Sequence, residues 1–381
     1  MRVRRCLALA FSVAVAVGAA VPAAAAAAAE PAWRLVPIPQ SKATSNLWDV
    51  AAVDTRNAWA VGFEGYHPDQ QYTTGEPMML RWNGIRWYRT SLPAVQGRVS
   101  FQRVAASSAT DVWVTGAPWS PDGNVTLVWR YNAGTWTEVP YPPGATPGTL
   151  SIRDLSVVDG RAWLVGHHGN VPVFHEWTGS SWQEHQPPAE CVTGGGFVNF
   201  CIINAVKAFA PDDVWAAGNG MWNGYSGPLL FHWNGTAWRT VQTGLNQQQL
   251  TMQALDGTSS RDMWAVGDGG GMGSGNVVLR GDGTTWQTVS GLDTPATRSL
   301  AVGANGVPWV VGQFPQASFS SHGPAGWTTT PAPAPPGSFG TNYNAIAAVP
   351  GTNRMIAVGY ADLPGTNPLR LQAVIADYAF R

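Results

Sequence analysis

A short motif, Trp-x-x-Gly on an apolar run, recurs through the whole chain and constrains the fold more than any other feature. Seven copies occur, the last with Ile in place of Trp, and consecutive glycines are 45 to 54 residues apart. The glycines of the seven copies are Gly62, Gly116, Gly166, Gly218, Gly267, Gly312 and Gly359. A period of this size is typical of stacked supersecondary units, which form either a linear solenoid or a closed ring of blades.

Each repeat unit divides into four short strands separated by turn signals. A second motif follows each of the first six copies, as in Trp82-Asn-Gly-Ile-Arg-Trp87, and Asn-Gly between two apolar runs is a strong hairpin signal. In the first unit the pattern predicts strands at 47–53, 58–63, 78–82 and 86–92. Four strands per unit and seven units predict an all-β chain folded as a seven-bladed β-propeller with four-stranded blades.

The two ends of the chain complement each other. The seventh unit, 343–380, stops after its third strand, whereas residues 33–37 (Trp-Arg-Leu-Val-Pro) match the fourth strand of other units. We therefore predict that the N-terminal strand completes the last blade and closes a single propeller domain of residues 30–381. Closure removes a sheet edge that would otherwise favour aggregation. A linear solenoid, the alternative, would need a distinct capping unit at each end.

The composition narrows the classes of partner. Hydrophobic residues make up 45% of the 381 and charged residues only 12%, which excludes a disordered chain or a coiled coil. The formal net charge is −1, and without Arg2, Arg4 and Arg5 of the N-terminal segment it is 19 − 23 = −4. No basic block stands out, so we expect neither nucleic acid nor an anionic membrane surface as a partner.

Residues 1–29 have the three parts of a secretory signal peptide. A basic start precedes an apolar stretch, and Ala27 and Ala29 satisfy the small-x-small rule for cleavage before Glu30. An uncleaved membrane anchor is the alternative, but Pro22 and the weakly hydrophobic Ala-rich end favour cleavage. We therefore expect a secreted, extracellular monomer with no membrane insertion after cleavage.

Only two cysteines follow the predicted signal peptide, Cys191 and Cys201. An even pair in an exported chain predicts a disulfide, and closing so short a loop contributes roughly 3 kcal/mol in the chain-entropy description. A two-cysteine metal site is the alternative, but no histidine or carboxylate pair lies nearby at ligand spacing. The sequence predicts no metal and no cofactor.

The repeat pattern resembles that of secreted, mostly actinobacterial propeller proteins with Trp-Ala-Val-Gly and Trp-Asn-Gly-x-x-Trp motifs, which are often grouped with kelch and galactose-oxidase-like propellers. The resemblance covers residues 33–381 and implies the fold far more than an activity, because propellers host many functions. The chain lacks a Gly-Gly kelch signature in each blade, and Arg280–Trp286 differs from a sialidase Asp-box by one residue of spacing. The copper-binding tyrosine crosslinked to a cysteine that galactose oxidase needs is also not supported, since both cysteines are better explained as disulfide partners.

Long, irregular loops are predicted on one face only, where second strands lead to third strands. Loops on a rigid scaffold often carry function, and aromatic rings in neutral, Gly- and Asn-rich loops suit stacking on sugars or gripping a peptide. The alternative is that each ring packs its own loop against the scaffold. Trp222 and Tyr225 are the foremost candidates for ligand contact. The further candidates are Tyr66, Tyr72, Trp119 and Tyr360.

The search for catalytic residues yields little. Neither a Gly-x-Ser-x-Gly elbow nor a His-Glu-x-x-His motif occurs. His167 and His168 follow a repeat glycine, and acidic loop residues such as Asp268 and Asp362 would have to converge with them to form a site. The repeated Asp111, Asp213 and Asp262 are predicted to be turn residues that bond nearby backbone N–H groups rather than catalytic acids.

Two functions from different classes fit these observations. The first is a secreted, non-enzymatic propeller that binds a glycan or an extracellular protein through the long-loop face. The alternative is an extracellular polysaccharide-active enzyme (a hydrolase, lyase or oxidase) with its site at the mouth of the central channel. A third interpretation, a structural or assembly scaffold, is compatible with the same fold.

Overall fold

Each repeat unit folds as one antiparallel sheet of four strands, and the sheets form a ring. The innermost strand of each sheet packs against that of the next, and the innermost strand of the seventh packs against that of the first. The structure is a computed structural model that describes residues 31–65, 75–92, 95, 99–118, 127–140, 150–168, 171–192, 200–222, 225–245, 250–269, 275–294, 296–313, 316–366 and 369–379.

The predicted all-β, seven-bladed β-propeller is confirmed, and the blades follow the repeat units in chain order. The strands of blade 7 are β26 (Gly340–Ala348), β27 (Met355–Thr366), β28 (Leu369–Ala379) and the N-terminal β1 (Ala32–Leu35). The strands of blades 1 and 2 are β2 (Ser45–Asp54), β3 (Asn57–Glu64), β4 (Glu76–Trp82), β5 (Trp87–Arg89), β6 (Val99–Ser108), β7 (Asp111–Pro118), β8 (Leu127–Asn132) and β9 (Thr135–Val139). The first blade thus matches the predicted strands, with its fourth strand shorter than expected.

The remaining blades repeat this plan. The strands of blades 3 and 4 are β10 (Leu150–Val158), β11 (Arg161–His168), β12 (Val171–Trp177), β13 (Trp182–His185), β14 (Phe200–Ala210), β15 (Asp213–Trp222), β16 (Tyr225–Trp233) and β17 (Trp238–Gln242). The strands of blades 5 and 6 are β18 (Thr251–Ser259), β19 (Asp262–Asp268), β20 (Asn276–Gly281), β21 (Trp286–Thr288), β22 (Thr297–Val302), β23 (Pro308–Gly312), β24 (Ser318–Gly323) and β25 (Gly326–Pro331). One 3-10 turn, Ala189–Cys191, precedes blade 4, and no helix among the described residues is long and apolar enough to cross a membrane.

The N-terminal strand closes the ring as predicted. It pairs antiparallel with β28, with Trp33 opposite Tyr378. The Trp33 ring also stacks on Phe319 of blade 6, with 3.8 Å between centroids, and meets Trp309 edge-on at 5.5 Å. The closing strand therefore completes blade 7 by hydrogen bonds and joins it to blade 6 by aromatic packing, which contributes beyond the area it buries.

The repeated Trp residues form the core between neighbouring blades. Trp163 of blade 3 is fully buried and contacts Trp233 and Trp238 of blade 4, and Phe174 stacks on Trp238 with 4.1 Å between centroids. Six Trp residues of the first motif are each less than 10% exposed. The columns of tryptophan seen in the sequence are therefore structural.

The repeated Asp residues do something other than the predicted turn capping. Asp111 accepts hydrogen bonds from the side chains of Trp113 and Arg130, at 3.1 and 2.7 Å, and the Arg130 guanidinium lies over the Trp113 ring. Asp213 and Asp262 pair in the same way with His232 and Arg280, each of which lies over the Trp of its own blade. These carboxylates hold a cationic or aromatic cap on a buried Trp, because the strand register sets that cap beside the ring.

The predicted disulfide is confirmed. Cys191 and Cys201 are bonded, with 5.3 Å between their Cα atoms, and both side chains are buried in the core between blades 3 and 4. The bond ties the connection that leaves blade 3 to the innermost strand of blade 4. It therefore reinforces a junction between blades.

Candidate functional site

Every innermost strand carries a β-bulge at the same place, near the end of the channel where that strand begins. In blade 1, Leu47 pairs with Gly62 and Asp49 with Val61, so that Trp48 is the extra residue. The seven extra residues, here called the bulge ring, are Trp48, Gln102, Arg153, Asn204, Gln253, Arg298 and Asn344. Bulges re-aim side chains and are common beside functional sites.

The repeated glycine is required by this bulge. A Cβ atom at Gly166 would lie 2.0 Å from the Ser151 carbonyl oxygen, and at Gly218 it would lie 1.8 Å from that of Ile202. Such distances are far inside van der Waals contact, so a side chain at these positions would displace the innermost strand. The most visible feature of the sequence thus marks the bulge ring, although it does not say which residues form it.

Side chains of the channel wall join all seven pairs of neighbouring blades. At each junction one side chain hydrogen-bonds the backbone of the next innermost strand, either at an N–H group or at a carbonyl. In order round the ring the bonds are Asp49 Oδ2 with Val104 N–H (2.9 Å), Arg103 Nε–H with Arg153 O (2.8 Å), Asp154 Oδ2 with Val206 N–H (2.8 Å), Asn204 Nδ2–H with Met252 O (2.9 Å), Asp256 Oδ2 with Val302 N–H (2.8 Å), Ser299 Oγ with Ile346 N–H (3.2 Å) and Asn344 Nδ2–H with Leu47 O (2.8 Å).

Charges of alternating sign follow this wall from blade 1 to blade 5. The charged arc consists of Asp49, Arg103, Asp154, Lys207 and Asp256, and it borders a channel cavity of 580 Å³. Arg103 Nε lies 3.7 Å from Asp154 Oδ1, and Lys207 Nζ lies 2.6 Å from Asp256 Oδ1. The charges of the arc are therefore balanced within the wall, apart from one carboxylate in excess.

Burial shifts the titration of two carboxyl groups in the arc. It raises the pKa of Asp49 to about 7, against the opposing attraction of Arg103 and two backbone N–H bonds. It also raises the pKa of Asp154. A carboxyl group that takes up a proton near neutral pH is unusual on a protein surface and is a property shared by many catalytic acids.

The channel mouth, defined here as the end of the channel bordered by the bulge ring, has a different character. Arg153 donates from Nε to His167 Nε2 at 3.1 Å, and Arg298 donates from Nε to Gln313 Oε1 at 2.8 Å. Both arginine side chains are exposed. His167 and Gln313 each follow the repeat glycine of their blade, so the same two repeat positions build both pairs.

Tyr360 occupies that position in blade 7 and is the one predicted ligand residue whose surroundings are described. It is partly buried, and burial raises the pKa of its hydroxyl, with a further rise from Asp362 and an opposing effect of Arg298. Asp362 accepts a weak hydrogen bond from Asn342 at 3.4 Å. Tyr360 and Asp362 therefore lie at the mouth within electrostatic range of Arg298.

The other predicted ligand residues are described only in part or not at all. Trp222 and Tyr225 face each other across the end of the β15–β16 hairpin, which fixes their backbones at the long-loop end of blade 4. Tyr66, Tyr72 and Trp119 lie outside the described residues. Their contact with a ligand stays a prediction.

The predicted catalytic candidates lie on three different blades. His167 and His168 end the second strand of blade 3, Asp268 ends that of blade 5, and Asp362 belongs to blade 7. In the described part of the chain, no three His, Cys, Asp or Glu residues form a group that could hold a metal ion. The strands thus place these four candidates on separate blades, apart from the adjacent His167 and His168.

Sequence reasoning missed the charged arc and the bulge ring. The innermost strands were interpreted as scaffold, yet the residue after each bulge forms a column of its own, with Asp49, Arg103 and Asp154 in the first three blades. Charged residues at that repeat position are the signal that could have found this part of the arc. Lys207 and Asp256 lie two positions further along their strands. Each innermost strand also has a buried apolar residue two positions after the bulge, such as Val50 in blade 1. Aligning the repeats on that residue places the bulge-ring residues in one column.

Comparison with known proteins shows the fold and no family. No protein-family model matches the chain, and no curated protein matches it either. A solved structure of YCF48 bound to D1 peptide is similar, with a TM-score of 0.53 and 16% identity over 92% of this chain and 97% of that chain. A GH74 xyloglucanase from Xanthomonas campestris is similar with a TM-score of 0.56 and 15% identity, over 90% of this chain and 55% of the enzyme, so this chain spans about half of its length. At such identities the likeness shows a shared β-propeller fold.

Proposed function

We propose that this protein is a non-enzymatic binding propeller that holds a glycan or an extracellular protein segment at the channel mouth. The observation that carries the proposal is the division of labour along the innermost strands. Side chains of the wall, together with Asn204 and Asn344 of the bulge ring, join the blades, whereas Arg153 and Arg298 of the bulge ring bond side chains of their own blades. A polar, rigidly framed opening on the long-loop face is suited to binding.

The similar structures support this proposal without choosing the ligand. One is a propeller bound to a peptide and the other is a xyloglucanase, so both ligand classes are compatible with this fold. The aromatic residues predicted from the sequence favour a ligand that offers flat apolar faces. Tyr360 is the best placed of them, because it lies beside Arg298 and Asp362 at the mouth.

A binding screen of the purified protein tests the proposal. Glycan and peptide arrays are probed with the wild type, with Tyr360→Ala and with the double variant Trp222→Ala/Tyr225→Ala. Tyr88→Ala, on the outermost strand of blade 1, is the matched control. We expect specific retention of one ligand class by the wild type and the control, with loss in the mouth variants. Absence of binding to every arrayed glycan and peptide would overturn the proposal.

An extracellular polysaccharide-active enzyme is the second candidate. The observation in its favour is Asp49, whose pKa of about 7 makes it a proton donor near neutral pH, with Asp154 as a second carboxyl group across Arg103. Against it, both carboxylates accept backbone N–H bonds from the next blade. Hydrolysis of a polysaccharide that is lost in Asp49→Asn or His168→Ala would establish this function, and no turnover across a panel would exclude it.

We also propose that the protein is exported and belongs with the secreted kelch- or galactose-oxidase-like propellers. The predicted signal peptide and the disulfide support export, since disulfides persist in oxidising compartments. N-terminal sequencing of the protein recovered outside the cytoplasm should begin at Glu30. Recovery with residues 1–29 intact in the membrane fraction would favour the anchor instead. Light scattering should give the mass of a monomer.

A further inference from the structure

Two arginines of the bulge ring have hydrogen-bond donors that the fold does not use. Arg153 and Arg298 each donate from Nε to a side chain of their own blade, which orients the guanidinium. Among the described residues, neither has an ion pair with a carboxylate or a hydrogen bond from its Nη groups. Arg103, by contrast, donates to two backbone carbonyls and lies beside Asp154.

The surroundings of Arg153 favour an anion. Partial desolvation by the surrounding chain, followed by the like charge of Arg103, lowers the pKa of the Arg153 guanidinium. The carboxylate of the neighbouring Asp154 lies beside Arg103 and accepts a hydrogen bond from the Val206 N–H group, so its partners are other than Arg153. A bound anion would therefore relieve repulsion between two cations that the fold brings together.

Arg298 lies three blades away along the same ring, with Tyr360 and Asp362 beside it on blade 7. No ion pair joins Arg298 to Asp362 in the described part of the chain. Burial raises the pKa of Asp362, which makes this carboxyl a weaker competitor for the guanidinium than an ordinary aspartate. Arg298 lines the channel cavity, and Arg153 holds the same bulge position three blades away, so the two arginines present equivalent, pre-oriented donor pairs. Such pairs match a carboxylate in bidentate geometry.

Amide side chains fill most of the remaining ring. Asn204 and Asn344 donate to the next blade, whereas the amide groups of Gln102 and Gln253 have no hydrogen bond among the described residues. Both glutamines are partly exposed. An amide group can both donate and accept a hydrogen bond, and a hydroxyl group can do the same, so the two groups complement each other. A ligand that carries carboxylates among hydroxyl groups therefore fits this ring best.

We propose that the channel mouth binds an acidic glycan, with its carboxylates on Arg153 and Arg298 and its hydroxyl groups on the bulge-ring amides. This inference rests on the proposed binding function and names its ligand class. The mature net charge of −4 means that attraction is local to the mouth, so recognition depends on these two side chains and on the bound geometry.

The test measures binding of polygalacturonate by calorimetry, with amylose as a neutral glycan and poly-L-glutamate as an acidic peptide. The variants are Arg153→Gln, Arg298→Gln and their combination, with Arg239→Gln on the outer strand of blade 4 as the control. Each single variant removes charge-assisted hydrogen bonds to a carboxylate and should weaken binding roughly tenfold or more. The double variant should bind at least as weakly as either single one, and all four proteins should unfold at similar temperatures.

Each outcome decides the matter. Polygalacturonate binding that is lost in the arginine variants and kept in the control supports the inference. The inference is overturned if the arginine variants bind polygalacturonate as tightly as the wild type. It is also overturned if amylose binds more tightly than polygalacturonate and the arginine substitutions do not weaken that binding. In both cases the proposed binding function stands. Poly-L-glutamate bound more tightly, with the same losses, overturns the glycan assignment in favour of an acidic peptide. Binding of none of the three probes overturns the inference, and the wider arrays then decide the binding function separately.

Discussion

The wall of the channel and its mouth are built on the same seven strands, a residue or two apart, yet their charges serve different ends. The Asp154 side chain in the wall bonds the backbone of the next blade. Among the described residues, the side chain of Arg153, immediately before it, hydrogen-bonds only a histidine of its own blade. The bulge produces this difference, because one extra residue changes which way the chain presents its side chains. Neighbouring residues can therefore divide into a set that joins the blades and a set that we propose binds a ligand, without any change of strand.

Breaking the bulge should have the largest effect, because both regions depend on it. In Gly166→Val, the new Cβ would lie 2.0 Å from the Ser151 carbonyl oxygen, and the innermost strand of blade 3 would have to move. We expect the free energy of unfolding in urea to fall by about 3 kcal/mol or more. Gly323→Ala is the control, since its Cβ would meet nothing within 4 Å, and should change stability by less than about 0.5 kcal/mol. Similar curves for the two variants would contradict the role assigned to the glycine.

A pair of adjacent substitutions separates wall from mouth. Asp154→Ala leaves the Val206 N–H group without its acceptor and should lower the free energy of unfolding by about 2 kcal/mol. Arg153→Ala removes an exposed side chain and should change it by no more than about 0.5 kcal/mol. Asp154→Asn keeps an acceptor oxygen and should recover most of the loss. Chemical denaturation of all three gives the answer, and an Arg153→Ala variant as unstable as Asp154→Ala would argue against the division.

The pH dependence of stability tests the burial of Asp49. Its pKa is raised from 3.8 to about 7 in the folded chain, so the folded state holds the proton more tightly than the unfolded state. The stabilisation is complete below about pH 4 and is lost as the pH rises through 7. Each pKa unit corresponds to about 1.4 kcal/mol, and since Asp49 is partly exposed we expect a loss near that of one unit.

Unfolding measured from pH 4 to pH 8 should therefore show a steeper decline for the wild type than for Asp49→Asn. Burial raises the pKa of Asp154 as well, so its titration contributes a decline in the same direction to both proteins. Asp282→Asn is the matched control, because the pKa of Asp282 is lowered to about 2 and lies outside this range. Parallel profiles for wild type and Asp49→Asn would show that the carboxyl is solvated in the folded chain.

The repeat made the fold predictable from the sequence, whereas the side chains that form the channel wall and the channel mouth were not predicted. Trp and Gly recur because each buried ring and each close approach is needed once per blade, and residues 33–37 match a missing strand for the same reason. The bulge position recurs once per blade, but its residue is Trp, Gln, Arg or Asn in different blades, so it forms no motif that can be recognised by residue type. Partners of Asp111 were mistaken for backbone groups because cross-strand register is invisible in a single strand.

The smallest effect concerns how the mouth holds its arginines. Gln313 accepts from Arg298 Nε and also donates to the Tyr343 carbonyl at 3.4 Å, so it fixes the guanidinium relative to blade 7. Gln313→Ala leaves the charge of Arg298 in place and removes only its orientation. Because the cation stays and only its fixed orientation is lost, affinity for the polyuronate should fall about threefold, well short of the loss in Arg298→Gln. Gln313→Glu should restore the orientation but neutralise the cation, and it should bind as weakly as Arg298→Gln. Equal binding by Gln313→Ala and the wild type would mean that charge alone, without a fixed geometry, attracts the ligand, and its affinity should then fall steeply with added salt.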